Sequence, residues 1–491
     1  TALFTIFAAQ NILLMARRKR PLPFITDLEI LDAGAEGKAV ARYNERVVFI
    51  PFAAPGDVVD VQVYKKRRNY YEARVEKIHR KSEFRVEPEC SHFGLCGGCK
   101  WQHLDYEAQK KFKQKQVQDS LDRIAKVPYP EVNPIIGAEK YYYYRNKLEF
   151  TFSNRRWLTD MDVSKEDGGP VDTNGLGFHL PGMFDKILDI DHCYLQADPS
   201  NEIRLAVKKY AVEKGLTFYN ARSQEGMLRN LIIRNAVTGD LMVIVVFRYN
   251  EQEQINGLME FLATRFPQIT SLMYIVNEKL NDSVTDQEPL LYKGNPFIME
   301  EMPSPVAGNA PFRFKVGPLS FYQTNPEQAF KLYKTAFEFA GFKGNELVYD
   351  LYTGTGTIAS FVAKSVKKVI GVEYVDDAVA DAKENMLLNG IDNIDFFAGD
   401  MARVLNEDFV KQHGRPDVLL TDPPRAGMHE KVVKQILAMA PEKIVYVSCN
   451  PATQARDVAL LHEKYDIIKV QPVDMFPQTH HVENVILLHK R

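Results

Sequence analysis

Asp350-Leu351-Tyr352-Thr353-Gly354-Thr355-Gly356-Thr357 is the stretch that decides the fold. Leu347–Leu351 reads as a short buried strand, and the two glycines after it let the backbone turn sharply and pass close to a ligand. From residue 346 onward the pattern repeats: strands at 369–373, 394–397, Val418–Thr421 and 444–447 are separated by helical stretches. Strands alternating with helices predict a parallel, doubly wound sheet. A lone Gly-x-Gly fits a dinucleotide, S-adenosylmethionine or a purely structural turn. Glu373 ends the second strand, where a carboxylate accepts hydrogen bonds from ribose hydroxyls, and Asp400 closes the third, where it would lie near an adenine. With no second glycine pair and no basic pocket for a pyrophosphate, S-adenosylmethionine is favoured over NAD.

Two more strand ends carry chemistry. Asp422-Pro423-Pro424-Arg425 closes the fourth strand with a loop stiffened by two prolines. In many amino-group methyltransferases a similar Asp/Asn-Pro-Pro precedes an aromatic residue that stacks the target base; Arg425 argues against that chemistry here. Cys449 follows the fifth strand in Val447-Ser448-Cys449-Asn450-Pro451. A strand-end cysteine is often a buried structural residue, but the turn forced by Asn450-Pro451 brings this sulfur to the rim where a cofactor would sit. Methylation of carbon 5 of uracil requires a thiolate at carbon 6, because carbon 5 is otherwise too weak a nucleophile. A base must then remove the carbon 5 proton, and Glu483 in His480-His481-Val482-Glu483 is the candidate. A free thiol titrates near ~8.5, so local positive charge is expected to help ionise it.

The rest of the 491-residue chain is long enough for two or three domains, and its 45% hydrophobic content is ample for packed cores. The formal charge of −2 hides a basic run at 65–85, from Lys65 and Lys66 through Arg74 to Arg85, that suits a polyanion. Residues 1–14 are apolar, but the positive charges of Arg17–Arg20 follow the apolar run rather than precede it, and Met15 opens a natural-looking start. They read as an upstream extension. No internal stretch is apolar for long enough to span a bilayer. From Ile25 to about Val86, β-rich runs and turn signals predict a small β-barrel, with Tyr70 and Tyr71 among basic residues as stacking candidates. Residues 105–125 read as an amphipathic helix, with Phe112, Val117, Leu121 and Ile124 at helical spacing and lysines facing RNA or water. Five cysteines fit a reducing cytoplasm better than a disulfide framework. Four of them, Cys90, Cys96, Cys99 and Cys193, offer a separate metal site. Three clustered thiols and a distant fourth suit an iron–sulfur cluster, whereas zinc usually takes two close pairs; the residues alone leave both open.

Phe321-Tyr322-Gln323-Thr324-Asn325, the turn 350–357, Asp422-Pro423-Pro424-Arg425-Ala426-Gly427, Val447–Pro451 and His481-Val482-Glu483 occur in one order. Together they closely resemble the RNA 5-methyluridine methyltransferases of the RumA/TrmA type, from about Ile25 to the C-terminus. The resemblance implies that Gln323, Tyr352, Thr357, Glu373, Asp400 and Asp422 bind S-adenosylmethionine, with Asp422 also close to the target base. It implies that Cys449 is the nucleophile and Glu483 the proton acceptor. Thr353 stands where the family usually has cysteine, and Thr357 where asparagine is common. The cysteine spacing resembles the RumA-like branch, which implies a 4Fe-4S cluster on Cys90, Cys96, Cys99 and Cys193 and 23S ribosomal RNA as the substrate. The N-terminal barrel resembles a TRAM domain, and Arg145-Asn146-Lys147 and Leu228-Arg229-Asn230-Leu231 resemble family segments near RNA. Tyr141–Tyr144 suit core packing and base stacking equally.

The expected plan is a multidomain α/β protein: an extension (1–23), an OB-like TRAM barrel (24–86), an α+β central domain with the cluster (87–312) and a Rossmann-like methyltransferase domain (313–491). The expected activity is methylation of a uridine in 23S rRNA in the cytoplasm, with no membrane and no obligate protein partner. The rivals are the same chemistry on tRNA and a catalytically silent RNA-binding assembly factor.

Overall fold

A computed structural model describes residues 21–158 and 172–491; the predicted extension lies almost wholly outside these residues. The chain divides into two compact units, one made of residues up to 34 and 38–84, the other of 35–37 and 85–491.

The first unit is a six-stranded sheet in the order Phe24–Glu29, Val58–Lys66, Tyr70–Arg80, Arg46–Ile50, Ala39–Tyr43, Asp32–Ala33. Val59, Val61 and Val63 alternate inward and pack with Ile25, Val48 and Ile50, the period-2 burial of a one-faced strand. Tyr71 belongs to this core and accepts a hydrogen bond from the Arg46 guanidinium at 2.7 Å, while Tyr70 packs edge-on against Phe49. Tyr71 is therefore a packing residue rather than a stacking platform, because its place on the strand points inward.

The second unit holds two seven-stranded sheets. One runs Leu290–Gly294, Ser271–Val276, Leu241–Phe247, Leu228–Asn235, Lys147–Ser153, Gly175–Leu180, Met183–Asp189. Leu228–Asn235 is central in it, and Arg229 is buried, donating to the carbonyls of Asn277, Lys279 and Asn281 and to Asp282 Oδ1. The expected RNA contact of this segment gives way to a loop clamp, since every guanidinium nitrogen that bonds does so inside the protein. The boundary expected at residue 312 falls inside a hairpin pairing Ile298–Met302 with Phe312–Val316. One hydrophobic cluster runs from Ile232, Met242 and Ile244 through that hairpin to Val348, Val369 and Val445.

The other sheet is the predicted doubly wound one. Its order is Ile394–Ala398, Lys368–Glu373, Leu347–Leu351, Val418–Thr421, Lys443–Ser448, Glu483–Lys490, Tyr465–Val473. The first five strands are parallel, and Glu483–Lys490 is inserted antiparallel beside Lys443–Ser448. Its N-terminus thus shares an edge with the carboxyl ends of the parallel strands, where ligands bind in such sheets.

The helix Tyr106–Ser120 forms as predicted, capped by Asp105, whose carboxylate accepts from the Ala108 N–H. Its buried face includes Lys113, which reaches neither RNA nor water: its Nζ donates to Asp474 Oδ1 at 2.6 Å and to the Phe476 carbonyl at 3.0 Å, with both ionic side chains fully enclosed.

Candidate active site

Three backbone turns at the sheet edge build the site. At the first, Tyr352, Gly354 and Gly356 all take positive φ before the helix Thr357–Ala363 begins. A side chain on Gly356 would meet Ala382 and Phe396 at 2.9 Å, so close packing as well as torsion requires glycine there. The Gly354 N–H donates to Glu373 Oε2 at 2.9 Å, and the amides of Tyr374 and Val375 donate to Glu373 Oε1. Glu373 thereby pins the glycine turn to the end of its own strand. Asp400 caps the helix Met401–Val404 through the Ala402 N–H. Tyr352 stands among these groups: burial pushes its phenol up to about 12, with the charges of Asp457, Asp400 and Glu373 adding to it. Thr353 donates to Asp350 Oδ2 at 2.5 Å, while Asp350 Oδ1 is buried without a partner. Thr357 is buried with its hydroxyl 3.4 Å from that of Thr355.

At the second turn, Asp422 leads into a loop gripped by the helix Pro451–Leu461 and its N-cap Asn450. Asn450 Nδ2 and Thr453 Oγ1 donate to the Arg425 carbonyl, Arg456 Nη2 donates to the carbonyls of Ala426 and Met428, and Asp457 accepts from the Met428 N–H. Gly427 has φ +75°, and a side chain there would meet Arg456 and Asp457 at 2.7 Å.

The third turn holds Cys449, between Lys443–Ser448 and the helix Pro451–Leu461. Ser448 pairs with Asn484 in the antiparallel register, so Cys449 and Glu483 occupy the next positions on adjoining chains. Gln454 locks this pairing by donating to the carbonyls of Tyr446 and Asn484 while accepting from Asn484 Nδ2. Burial pushes the Cys449 thiol up to about 11, with Glu483 and then Asp422 adding to the rise and Arg425 opposing it. Burial likewise raises Glu483, with Asp422 adding. Asp422 is pushed up to about 7, by burial and then by Asp350. Three acidic groups enclosed at one edge favour their protonated forms until a cation or a proton acceptor arrives.

Several site residues escaped the sequence. Tyr333, buried on the helix Pro326–Ala340, lies near Asp422, Glu483 and Asp350, whose charges add to burial in raising its phenol, while the neighbouring Gln323 side chain opposes the rise. Arg425 donates to His481 Nδ1 at 2.9 Å. Burial holds His481 down to about 3, so the imidazole is the neutral acceptor of that bond. The segment before Glu483 is fastened by Gln328 to the Asp474 carbonyl, Asn325 to Met475, Tyr144 to Pro477, and Gln109 in both directions to Gln478. Tyr144 is thus a packing residue, whereas Tyr141 and Tyr143 remain exposed. A helix pattern flags apolar residues, so only a Pro-Glu-Gln start after Asn325 hinted at this helix's role.

Residues 293–491 match the family profile of tRNA (uracil-5-)-methyltransferases, and residues 25–75 match the TRAM domain. An uncharacterised RNA methyltransferase of Bacteroides thetaiotaomicron is 56% identical over 460 residues, covering 93% of this chain and 100% of that protein. One from Porphyromonas gingivalis is 55% identical over 467 residues, covering 94% and 99%. This chain belongs to the S-adenosylmethionine-dependent RNA (uracil-C5) methyltransferases. The methyltransferase is also similar to the crystal structure of Pyrococcus abyssi tRNA (uracil-54, C5)-methyltransferase in complex with S-adenosyl-L-homocysteine. The two share 26% identity with a TM-score of 0.70, over 94% of this chain and 100% of that one. Membership of this enzyme family stands against the silent assembly factor.

The four remaining cysteines of the methyltransferase line a cavity of about 410 Å³ together with Arg145, Lys147 and Thr324. Cys99 and Cys193 are buried, and burial pushes their thiols up to about 12 and about 11, with the other cysteines of the set adding. The Cys193 N–H donates to Asn201, and the Cys90 N–H to Gln102. Among the described residues, the one group of three ligands close enough together for a single metal ion is Asp27, Asp60 and His79, on the first unit. No helix among the described residues is long and apolar enough to cross a membrane.

Proposed function

We propose that the enzyme methylates carbon 5 of an RNA uridine through a covalent adduct on Cys449, with Glu483 as the base. The observation that carries this reading is the register of the last strand, which sets a thiol and a buried carboxylate beside each other and next to Asp422. Gln323, Tyr352, Thr357, Glu373, Asp400 and Asp422 would hold the cofactor, since the turns that bear all but Gln323 meet at one sheet edge and Gln323 lies beside Tyr333, which faces Asp422 and Glu483. When bound, S-adenosylmethionine supplies a methyl group on a cationic sulfur. Cys449 gives up its proton to solvent and its sulfur bonds to carbon 6, pushing the carbon 5–carbon 6 pair into an enolate; carbon 5 would then take the methyl as the methyl–sulfur bond breaks and its electron pair stays on the donor sulfur, which leaves as a neutral thioether. Glu483 then accepts the carbon 5 proton, the carbon 6–sulfur bond breaks, and the thiolate leaves. Arg425, the group that opposes the rise of the Cys449 thiol, stabilises that thiolate and is aimed by His481.

For the RNA class, the likeness to a tRNA (uracil-54, C5)-methyltransferase favours tRNA over the 23S rRNA expected from the cysteine spacing. The donor set of the cavity supports a 4Fe-4S cluster on Cys90, Cys96, Cys99 and Cys193. A tetrahedral zinc with Zn–S of ~2.3 Å needs sulfurs ~4 Å apart, whereas no three of these thiols lie within 4.8 Å of one another. The roomy cavity suits a polynuclear group, and a reducing cytoplasm would preserve it.

The test is adduct formation on 5-fluorouridine-substituted tRNA and 23S rRNA fragments, with anaerobically purified protein assayed for iron and sulfide. Fluorine cannot leave as a proton does, so the enzyme stalls as a stable protein–RNA complex on its true substrate. Adduct with neither RNA, or adduct that survives Cys449→Ala, would overturn the mechanism; zinc in place of iron would overturn the cluster.

A further inference from the structure

The turn that carries Gln323 is held from outside the methyltransferase sheet. Asn146, just before the strand Lys147–Ser153, donates its main-chain N–H to the Thr324 carbonyl at 2.9 Å. Its side-chain amide donates to the Gln323 carbonyl at 3.1 Å and to Glu300 Oε1 at 3.1 Å, so the acceptors at that nitrogen match its two hydrogens. Glu300 is buried on the hairpin strand Ile298–Met302, and its other oxygen accepts from the Val237 N–H at 3.1 Å. Carboxylate and amide are thus fixed in one orientation, and Asn146 can point its second hydrogen only at Gln323. Arg234 secures the start of the same turn by donating to the carbonyls of Gly317 and Ser320. The cofactor side of this turn is tied separately, by Thr355 Oγ1 to the Phe321 carbonyl.

We propose that Asn146, oriented by Glu300, is a positioning residue that sets the Gln323–Thr324 turn for S-adenosylmethionine. This places a family segment read from sequence as an RNA neighbour in the cofactor's support instead. The inference rests on the reading that Gln323 contacts the cofactor. Neither residue touches the reacting atoms, so their effect should appear in cofactor affinity and leave the rate at saturation alone.

The experiment measures the dissociation constant of S-adenosylmethionine by calorimetry on the full chain as purified with its metal. The variants are Asn146→Ala, Glu300→Gln and Gln323→Ala, each also assayed for methylation across cofactor concentration. Asn146→Ala leaves two buried acceptors unpaired; part of that loss is expected to reach the turn, as a weakening of about tenfold, or 1.4 kcal/mol. The KM for cofactor should rise by the same factor with kcat within about twofold. Glu300→Gln keeps one acceptor oxygen and should weaken binding by about threefold, a result that also serves if Asn146→Ala does not fold. Unchanged cofactor affinity in either folded variant, or a fall in kcat with KM unchanged, would overturn the positioning role. Unchanged affinity in Gln323→Ala would instead remove the cofactor reading beneath it, which separates the two failures.

Discussion

The acidity of Cys449 can be measured directly. Its thiol is pushed from 9.0 up to about 11, by burial first and by Glu483 and Asp422 next. At pH 7.5 a thiol at 9.0 is about 3% ionised, and one near 11 about 0.03%, roughly a hundredfold less thiolate. A more basic thiolate is also a better nucleophile, with a Brønsted slope of ~0.4–0.5, which recovers about tenfold over that shift. Alkylation by iodoacetamide should therefore run about tenfold slower than at an unperturbed thiol. Its rate should climb about tenfold per pH unit and show no plateau below pH ~10. Mass spectrometry of the tryptic peptide 444–456 reads Cys449 separately from the other four cysteines. Glu483→Gln removes a neighbouring negative charge and should move the curve to lower pH. Arg425→Gln removes the cation that opposes the rise of the thiol and should move it higher. A plateau by pH 8.5 in the wild-type protein, or faster alkylation in Arg425→Gln, would refute this account of the site's electrostatics.

Other perturbations follow from the same geometry. Lys113→Met strands Asp474 without its cation in a fully enclosed position, and should cost about 3–5 kcal/mol in urea unfolding; Lys113→Met combined with Asp474→Leu should recover most of it. A double variant as unstable as the single one would show that the pair is not what the site depends on. Gly427→Ala places a side chain against Arg456 and Asp457 at φ +75°, costing about 1–2 kcal/mol of torsion. It should reduce single-turnover methylation about tenfold or more, with a melting temperature shift of only a few degrees. Asp350 is pushed up to about 7 by burial, so the folded chain holds a proton there that the unfolded chain, titrating at 3.8, has released. Its contribution makes stability fall as pH rises from about 4 to 7, and Asp350→Asn should flatten the melting temperature over that window. Because Asp422 also lies near 7 and Glu483 is raised, both gain their basic forms as pH rises. Release of the 5-methyluridine product should accordingly quicken as pH rises above the usual carboxylate range, as read by decay of the covalent complex after a pH jump.

The sequence by itself determined what local chemistry can determine. The strand–helix alternation after residue 346, the glycine turn at 354–356 and the acidic residues at the ends of the first four parallel strands are period and punctuation signals, and they specified the doubly wound sheet and its ligand edge. The tertiary structure alone decided which distant residues meet. Cys449 and Glu483 lie together because the last strand inserts antiparallel beside Lys443–Ser448, a pairing whose register no single strand encodes. Lys113 read as a solvent-facing lysine on an amphipathic helix, yet its partner Asp474 stands 361 residues away. Arg229 and Tyr71 turned inward for the same reason: a polar tip can be buried wherever a distant group completes its hydrogen bonds. Hydrophobic period reports which side chains avoid water, but a buried charge is permitted only by its partner, and the partner is supplied by the fold.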